Sequence, residues 1–192
     1  MGRRQEFDTG DALDNALQIF WTKGYRATSM ADLEAATGLN PGSLYNTFGS
    51  KKGLFLAVVD HYIERTVGHR IVTILNVGPP LDAIDAFFRT AYEDLEPEGL
   101  IGCLLTNTAA ETGRDETEIR DRVAAGIAQI EAAFRRRLSE AQVAGALSAD
   151  KDAAVLAVHL TASYQGASVI GRLSRDKTRL KAVTDAALQA LR

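Results

Sequence analysis

One cysteine in 192 residues leaves no material for an internal disulfide framework and points to a reducing, cytoplasmic setting. Prolines number only four, and the one adjacent pair, Pro79–Pro80, closes the stretch Asn76–Pro80 that reads as the best joint within the second part of the chain. No apolar run reaches the ~18–20 residues that a membrane span needs. The opening MGRRQEFDTGD has two arginines with no apolar stretch behind them, which excludes a secretory signal and leaves no membrane partner to expect. Strand-like alternation is missing, and nothing repeats with a period of about 20–50 residues. There is no excess of positive charge either: the net charge is −3, a balance that argues mildly against nucleic acid unless the basic groups are concentrated locally. His61, His69 and His159 are scattered and match no zinc spacing. No nucleophile–base–acid set or phosphate loop is visible, so no catalytic residue, metal or cofactor is expected.

What is present is helix. Apolar residues make up 46% of the chain, enough for a real core. The first helix runs from about Asp8 to Lys23 with Leu13, Ala16, Leu17, Phe20 and Trp21 on one side, and Gly24 stops it. Ser29–Asp32 reads as a capping-box start with Met30, Leu33 and Ala36 inward, and Thr37–Gly38–Leu39 is a turn. Asn40 caps a third helix with Pro41 at its favoured first position; Gly49–Ser50 ends that helix and caps a fourth, striped by Leu54, Val58 and Tyr62. Beyond the joint come a helix over Leu81–Leu95, a loop at Glu96–Gly99, a short helix around Cys103–Glu111 and a long one over about Asp115–Val143. The stripe Ile119, Val123, Ile127, Ile130, Phe134, Leu138 marks the long one. Two more, about Asp150–Leu173 and Asp176–Leu191, close the chain. The fold is therefore all-α with about nine helices: a three-helix head over 1–50 and a helical body over 51–192.

The third helix segregates its faces. Leu44 and Phe48 lie four apart and pack inward. The other side carries Pro41, Gly42, Ser43, Tyr45, Asn46 and Thr47. A helix entering the major groove of DNA needs that division, one side dry in its own protein and the other bearing hydrogen-bonding groups. Gly42 lets the backbone come close, Ser43 and Asn46 reach base edges, and Tyr45 donates to a phosphate or lies on a sugar or thymine methyl. Thr28 and Ser29 open the second helix, whose amides favour a phosphate, and Lys51 is placed for another. The structural alternative is that these residues are only caps and turns; a large exposed aromatic such as Tyr45 argues against it.

The string GYRATSMADLEAATGLNPGSLYNTFGSKKGLF resembles the N-terminal domain of TetR-type transcriptional regulators, with Gly24, Thr28, Gly38, Leu44, Tyr45, Phe48 and Lys51 in the expected places. The resemblance covers about residues 8–60. It implies a DNA-binding head on a divergent body that binds small molecules and dimerises, and a ligand-responsive repressor that holds a palindromic double-stranded DNA operator as a homodimer. The family's recognition helix often has a basic or histidine residue beside its tyrosine; Asn46 and Thr47 stand here instead, so no operator sequence follows. A helical small-molecule-binding module or an enzyme without DNA function is the alternative.

The same resemblance implies a four-helix bundle between two copies, built from the last two helices. Leu180, Val183, Ala187 and Leu191 form one stripe, and Leu156, Leu160, Ala167 and Ile170 a facing one, with Gly166 and Gly171 allowing close approach. The alternative is that both stripes serve the monomer's own core. An effector cleft is expected among Phe87, Phe88, Tyr92, Asn107, Phe134, His159 and Tyr164, each of which also reads as plain core. His159, in an apolar run, reads as a hydrogen-bonded core histidine. Arg135–Arg136–Arg137 reads as a solvated face. Glu111, Asp115 and Glu116 read as caps and faces. Cys103 sits at a helix start, a position that can activate a thiol, and its modification is expected to weaken DNA binding; the opposing reading is a small buried apolar residue.

Overall fold

The computed structural model describes residues 8–90, 102–113, 116–174 and 176–192. Tyr92, the loop at Glu96–Gly99 and Asp115 lie outside them. Nine α-helices and no strand occur among the described residues. The head holds α1 (Thr9–Lys23), α2 (Met30–Thr37) and α3 (Pro41–Phe48); the body holds α4 (Lys51–Tyr62), α5 (Pro80–Arg89), α6 (Leu104–Glu111), α7 (Thr117–Val143), α8 (Ala153–Leu173) and α9 (Lys177–Gln189).

The head follows its local signals. The Asp8 carboxylate accepts from the Gly10 amide at the start of α1, and Gly24, at φ +86°, lets the chain leave it. Ser29 and Asp32 make both bonds of a capping box. Gly38 ends α2 in the left-handed region, and the Asn40 side chain accepts from the Ser43 amide at 2.9 Å to start α3. Caps of this kind contribute about 1 kcal/mol each.

α4 does not stop at Tyr62. It continues through wide π-helical turns at Ile63–Gly68 and Ile71–Leu75, so one rod joins head to body. These turns are not visible in the apolar stripe, because an added residue per turn shifts the register without changing which residue types face inward. A single core runs from Phe20, Leu33 and Leu44 in the head, past Phe55 on the rod, to Phe87, Phe88, Phe134 and Tyr164 in the body. Each such side chain contributes on the order of 2 kcal/mol by burial. Gly126 on α7 allows the helices to close up. A Cβ there would meet the tips of Ile63 and Leu105 at 2.8 Å.

Three expectations need correction. Leu160, Ala167, Leu180, Ala187 and Leu191 are buried inside the monomer, so the stripes assigned to a second copy belong mainly to its own core. The apolar surface left open is another face of α8, with Val155, Val158, Val169 and Leu173 at 63, 53, 43 and 83% exposure. α8 is apolar on more than one side, which hid the distinction from a stripe count. It is also the helix among the described residues whose length and apolar composition, mean hydropathy 1.3, would suit a membrane; its core-facing side is packed against α7 and α9. His159 is exposed on α8 and is not a core histidine. Arg137 is buried and donates to the Gly78 carbonyl and to Glu140, while Arg136 donates to Asn76; the joint is thus pinned to α7, and the arginine run is not wholly solvated.

Candidate nucleic-acid interface and its link to the body

α3 presents the arrangement that groove reading requires. Leu44 is 2% exposed and Phe48 half-buried against the head core, while Tyr45 is 50% exposed. Pro41, Gly42, Asn46 and Thr47 are exposed beside it and Ser43 is half-exposed. This face carries no cation, only a phenol, an amide, hydroxyls and the open first turn of a helix.

The flanking residues are placed differently from the phosphate-binding roles read for them. The Thr28 side chain is buried, its hydroxyl donating to the Gly24 carbonyl at 2.6 Å, so it shapes the turn between α1 and α2. Ser29 is exposed but its hydroxyl is engaged with Asp32. Hydrogen bonds from Lys23 and then from Ser29 hold the Asp32 carboxyl well below the usual carboxylate range. Its negative charge occupies the start of α2, where a phosphate would otherwise be favoured. Lys51 donates to the Thr28 carbonyl at 2.5 Å and the Arg26 carbonyl at 3.3 Å, with its ammonium 4.9 Å from the centre of the Tyr25 ring. It ties down the same turn from beneath.

The body grips this turn from the other side. Glu111, at the end of α6, accepts from the amides of Tyr25 at 2.9 Å and Arg26 at 2.5 Å. A Cβ on Gly24 would lie 2.7 Å from the Glu111 Oε2, so a side chain there would push that carboxylate off the turn, besides being strained at φ +86°. At the other end of α6, the Trp21 indole donates to the Gly102 carbonyl at 3.1 Å, and its ring meets Tyr62 edge-on at 5.2 Å. Lys52, on α4, pairs with Glu118 at 2.6 Å and Glu116 at 3.6 Å at the start of α7. Both ends of α6 thus touch the head. Nothing local to Glu111 marks a bond spanning 86 residues, so its sequence alone suggests only a cap or a helix face.

Within the body, Phe88, Phe134 and Tyr164 come together with Phe87. Their rings pack at centroid distances of 5.1–5.9 Å. Burial pushes the Tyr164 hydroxyl up, with Arg70 drawing it back. Cys103 is buried at the start of α6 and accepts a hydrogen bond from Tyr62 Oη at 3.7 Å, and the Tyr62 hydroxyl is raised well above its ordinary value by burial and then by the neighbouring Cys103. Asn107 is half-buried one turn along α6. His159 does not join them. Among the described residues no group of three or more His, Cys, Asp or Glu is placed to hold a metal ion.

Comparison with known proteins agrees with this geometry. Residues 12–58 match the model of bacterial regulatory proteins of the tetR family, and residues 80–187 match a tetracyclin repressor-like C-terminal domain. The chain belongs to the TetR family. It is 32% identical over the full length of both chains to the uncharacterized HTH-type transcriptional regulator YezE of Bacillus subtilis (strain 168). It is 30% identical to the HTH-type transcriptional repressor ComR of Escherichia coli (strain K12), covering 98% of this chain and 90% of ComR. In structure it is similar to the TetR family regulator CifR, solved as a cysteine mutant complexed with 26-bp double-strand operator DNA, at a TM-score of 0.87 and 30% identity over 99% of this chain and 100% of CifR. This TetR-family chain is a DNA-binding transcriptional regulator, and its all-α head-and-body fold is that of the family.

Proposed function

We propose that the chain is a repressor that holds a palindromic operator as a homodimer and releases it when a small molecule binds the body, and that it catalyses no reaction. The observation that carries the reading is the division of α3, with Leu44 sealed and Tyr45 half-exposed among polar neighbours. The open stripe Val155, Val158, Val169 and Leu173 on α8 suits an isologous contact with a second copy. Such a pair would set two α3 helices toward major grooves about 34–36 Å apart. The bonds at both ends of α6 supply a route by which a shift in the body changes that separation. Phe88, Cys103, Asn107, Phe134 and Tyr164 border the region in which the effector is placed by this reading; Tyr92 lies outside the described residues and His159 faces outward. Pro41, Gly42, Ser43, Tyr45, Asn46 and Thr47 are the proposed DNA contacts, with Thr28, Ser29 and Lys51 supporting them.

The test is a gel-shift of DNA from upstream of the chain's own gene. Tyr45→Ala is expected to weaken binding at least about tenfold, the scale of one lost base or sugar contact, without altering thermal stability. Equal affinity for wild type and variant would mean that another surface reads the DNA.

A further inference from the structure

Residues 27–50, which hold α2, α3 and the turn between them, contain no lysine, arginine or histidine. The cations on either side are turned to protein partners. Lys23 pairs with Asp32 at 2.6 Å, Lys51 donates to the Thr28 and Arg26 carbonyls, and Lys52 pairs with Glu118 at 2.6 Å. The Arg26 guanidinium reaches over the body, where a Cβ on Gly113 would lie 3.2 Å from its Nη2. A helix that enters the major groove without a cation must tell bases apart by other groups.

At about 100° per residue, Asn46 points directly away from the midpoint of Leu44 and Phe48, the two α3 side chains that pack on the head core. It is exposed, and Gly42 stands one turn before it on the same side. A short amide reaches a base edge only where the backbone comes close, and the missing side chain at Gly42 permits that approach. Its neighbours discriminate less. The Ser43 and Thr47 hydroxyls can each donate or accept, so they suit any base, and the Tyr45 phenol adds a phosphate contact or ring surface. The Asn46 amide instead sets a fixed donor beside a fixed acceptor. In the major groove adenine alone answers with an acceptor, N7, beside a donor, N6, on one base. Guanine shows two acceptors, O6 and N7, which suit arginine or lysine; against them the amide oxygen would have no donor to meet. We propose that Asn46 selects an adenine in each half-site, so that the pair read at the centre of the α3 face is A·T and not G·C. This rests on the reading of α3 as the DNA-reading helix and names what it reads.

The test starts from the full-length protein and a pool of random duplexes, from which bound sequences are selected. Wild type is expected to enrich a palindrome with an invariant A·T pair in each half, and Asn46→Ala to lose the preference at that pair alone. Replacing the invariant adenine by 7-deaza-adenine removes the N7 acceptor and should weaken wild-type binding about tenfold while leaving Asn46→Ala unaffected. The base-analogue measurement on wild type stands even if the variant does not fold. A G·C pair at the position that depends on Asn46, a selected site whose preferences all survive Asn46→Ala, or full wild-type affinity for the 7-deaza duplex would overturn the adenine contact while DNA binding itself stands. Enrichment of no duplex at all would overturn the DNA-reading role of α3 and the contact with it.

Discussion

The Glu111 carboxylate and the Tyr25 main-chain amide stand 86 residues apart in sequence and 2.9 Å apart in space. The second oxygen of the same carboxylate takes the next amide, that of Arg26. One side chain of the body therefore satisfies two consecutive backbone donors in the turn that sets the angle between α1 and α2. Charge-assisted bonds of this type are the stronger class, and they leave two unpaired amides when lost.

Removing that carboxylate should loosen the head before it unfolds the body. In Glu111→Ala, the Tyr25 and Arg26 amides are expected to exchange hydrogen at least about tenfold faster, and operator affinity to fall by a similar factor, from bonds worth about 1.5–3 kcal/mol each. Glu111→Gln, with one accepting oxygen, should fall between. Exchange rates equal to wild type would show that the turn holds itself.

Lys51 offers a test of position against contact. With its ammonium on the Thr28 and Arg26 carbonyls, Lys51→Met is expected to lower stability by about 1–2 kcal/mol and to weaken DNA binding while the slope of log affinity against log salt stays the same. A stable variant whose slope falls by about 1 would instead put the ammonium on a phosphate.

A charge on the open face of α8 should separate the copies. Val158→Glu or Val169→Glu places a carboxylate in an apolar contact without touching the monomer's core. Sedimentation or gel filtration should then give the monomer mass, and operator affinity should drop by about 100-fold as the two-site advantage is lost. A variant that still runs as a dimer would move the interface elsewhere.

Cys103 should react slowly in the folded protein and matter when it does. Its sulfur is buried under Tyr62, so labelling by a disulfide reagent is expected to be about 100-fold slower than in denaturant. Once attached, the added group has no room at the start of α6 and should weaken operator binding, whereas Cys103→Ser should bind normally and resist the reagent. Rapid native labelling with unchanged DNA binding would reject this role.

Much of this architecture was legible because its determinants are local. The helix ends at Gly24, Ser29, Asn40 and Ser50 are written in residues within three or four positions of each bond, and the division of α3 needs only a period of 3.6. The parts that escaped are those set by distant partners. Thr28, Lys51 and Glu111 look like a cap, a surface cation and a surface acid until the turn that joins them is seen. α8 carries apolar residues on two sides, so its sequence alone does not distinguish the side packed on α7 and α9 from the side left for a second copy. Arg70 gave no sign at all: an isolated arginine in a helix reads as solvated, and only the Phe87 and Tyr164 rings reveal that it packs against α5 and α8.

The missing side chain at Gly24 limits how this protein can be re-engineered. A hybrid that transplants a foreign head onto this body would inherit Glu111 reaching toward whatever residue closes the newcomer's first helix. Unless that residue is also glycine, the carboxylate would be displaced and the transplanted turn would lose the grip that holds it to this body.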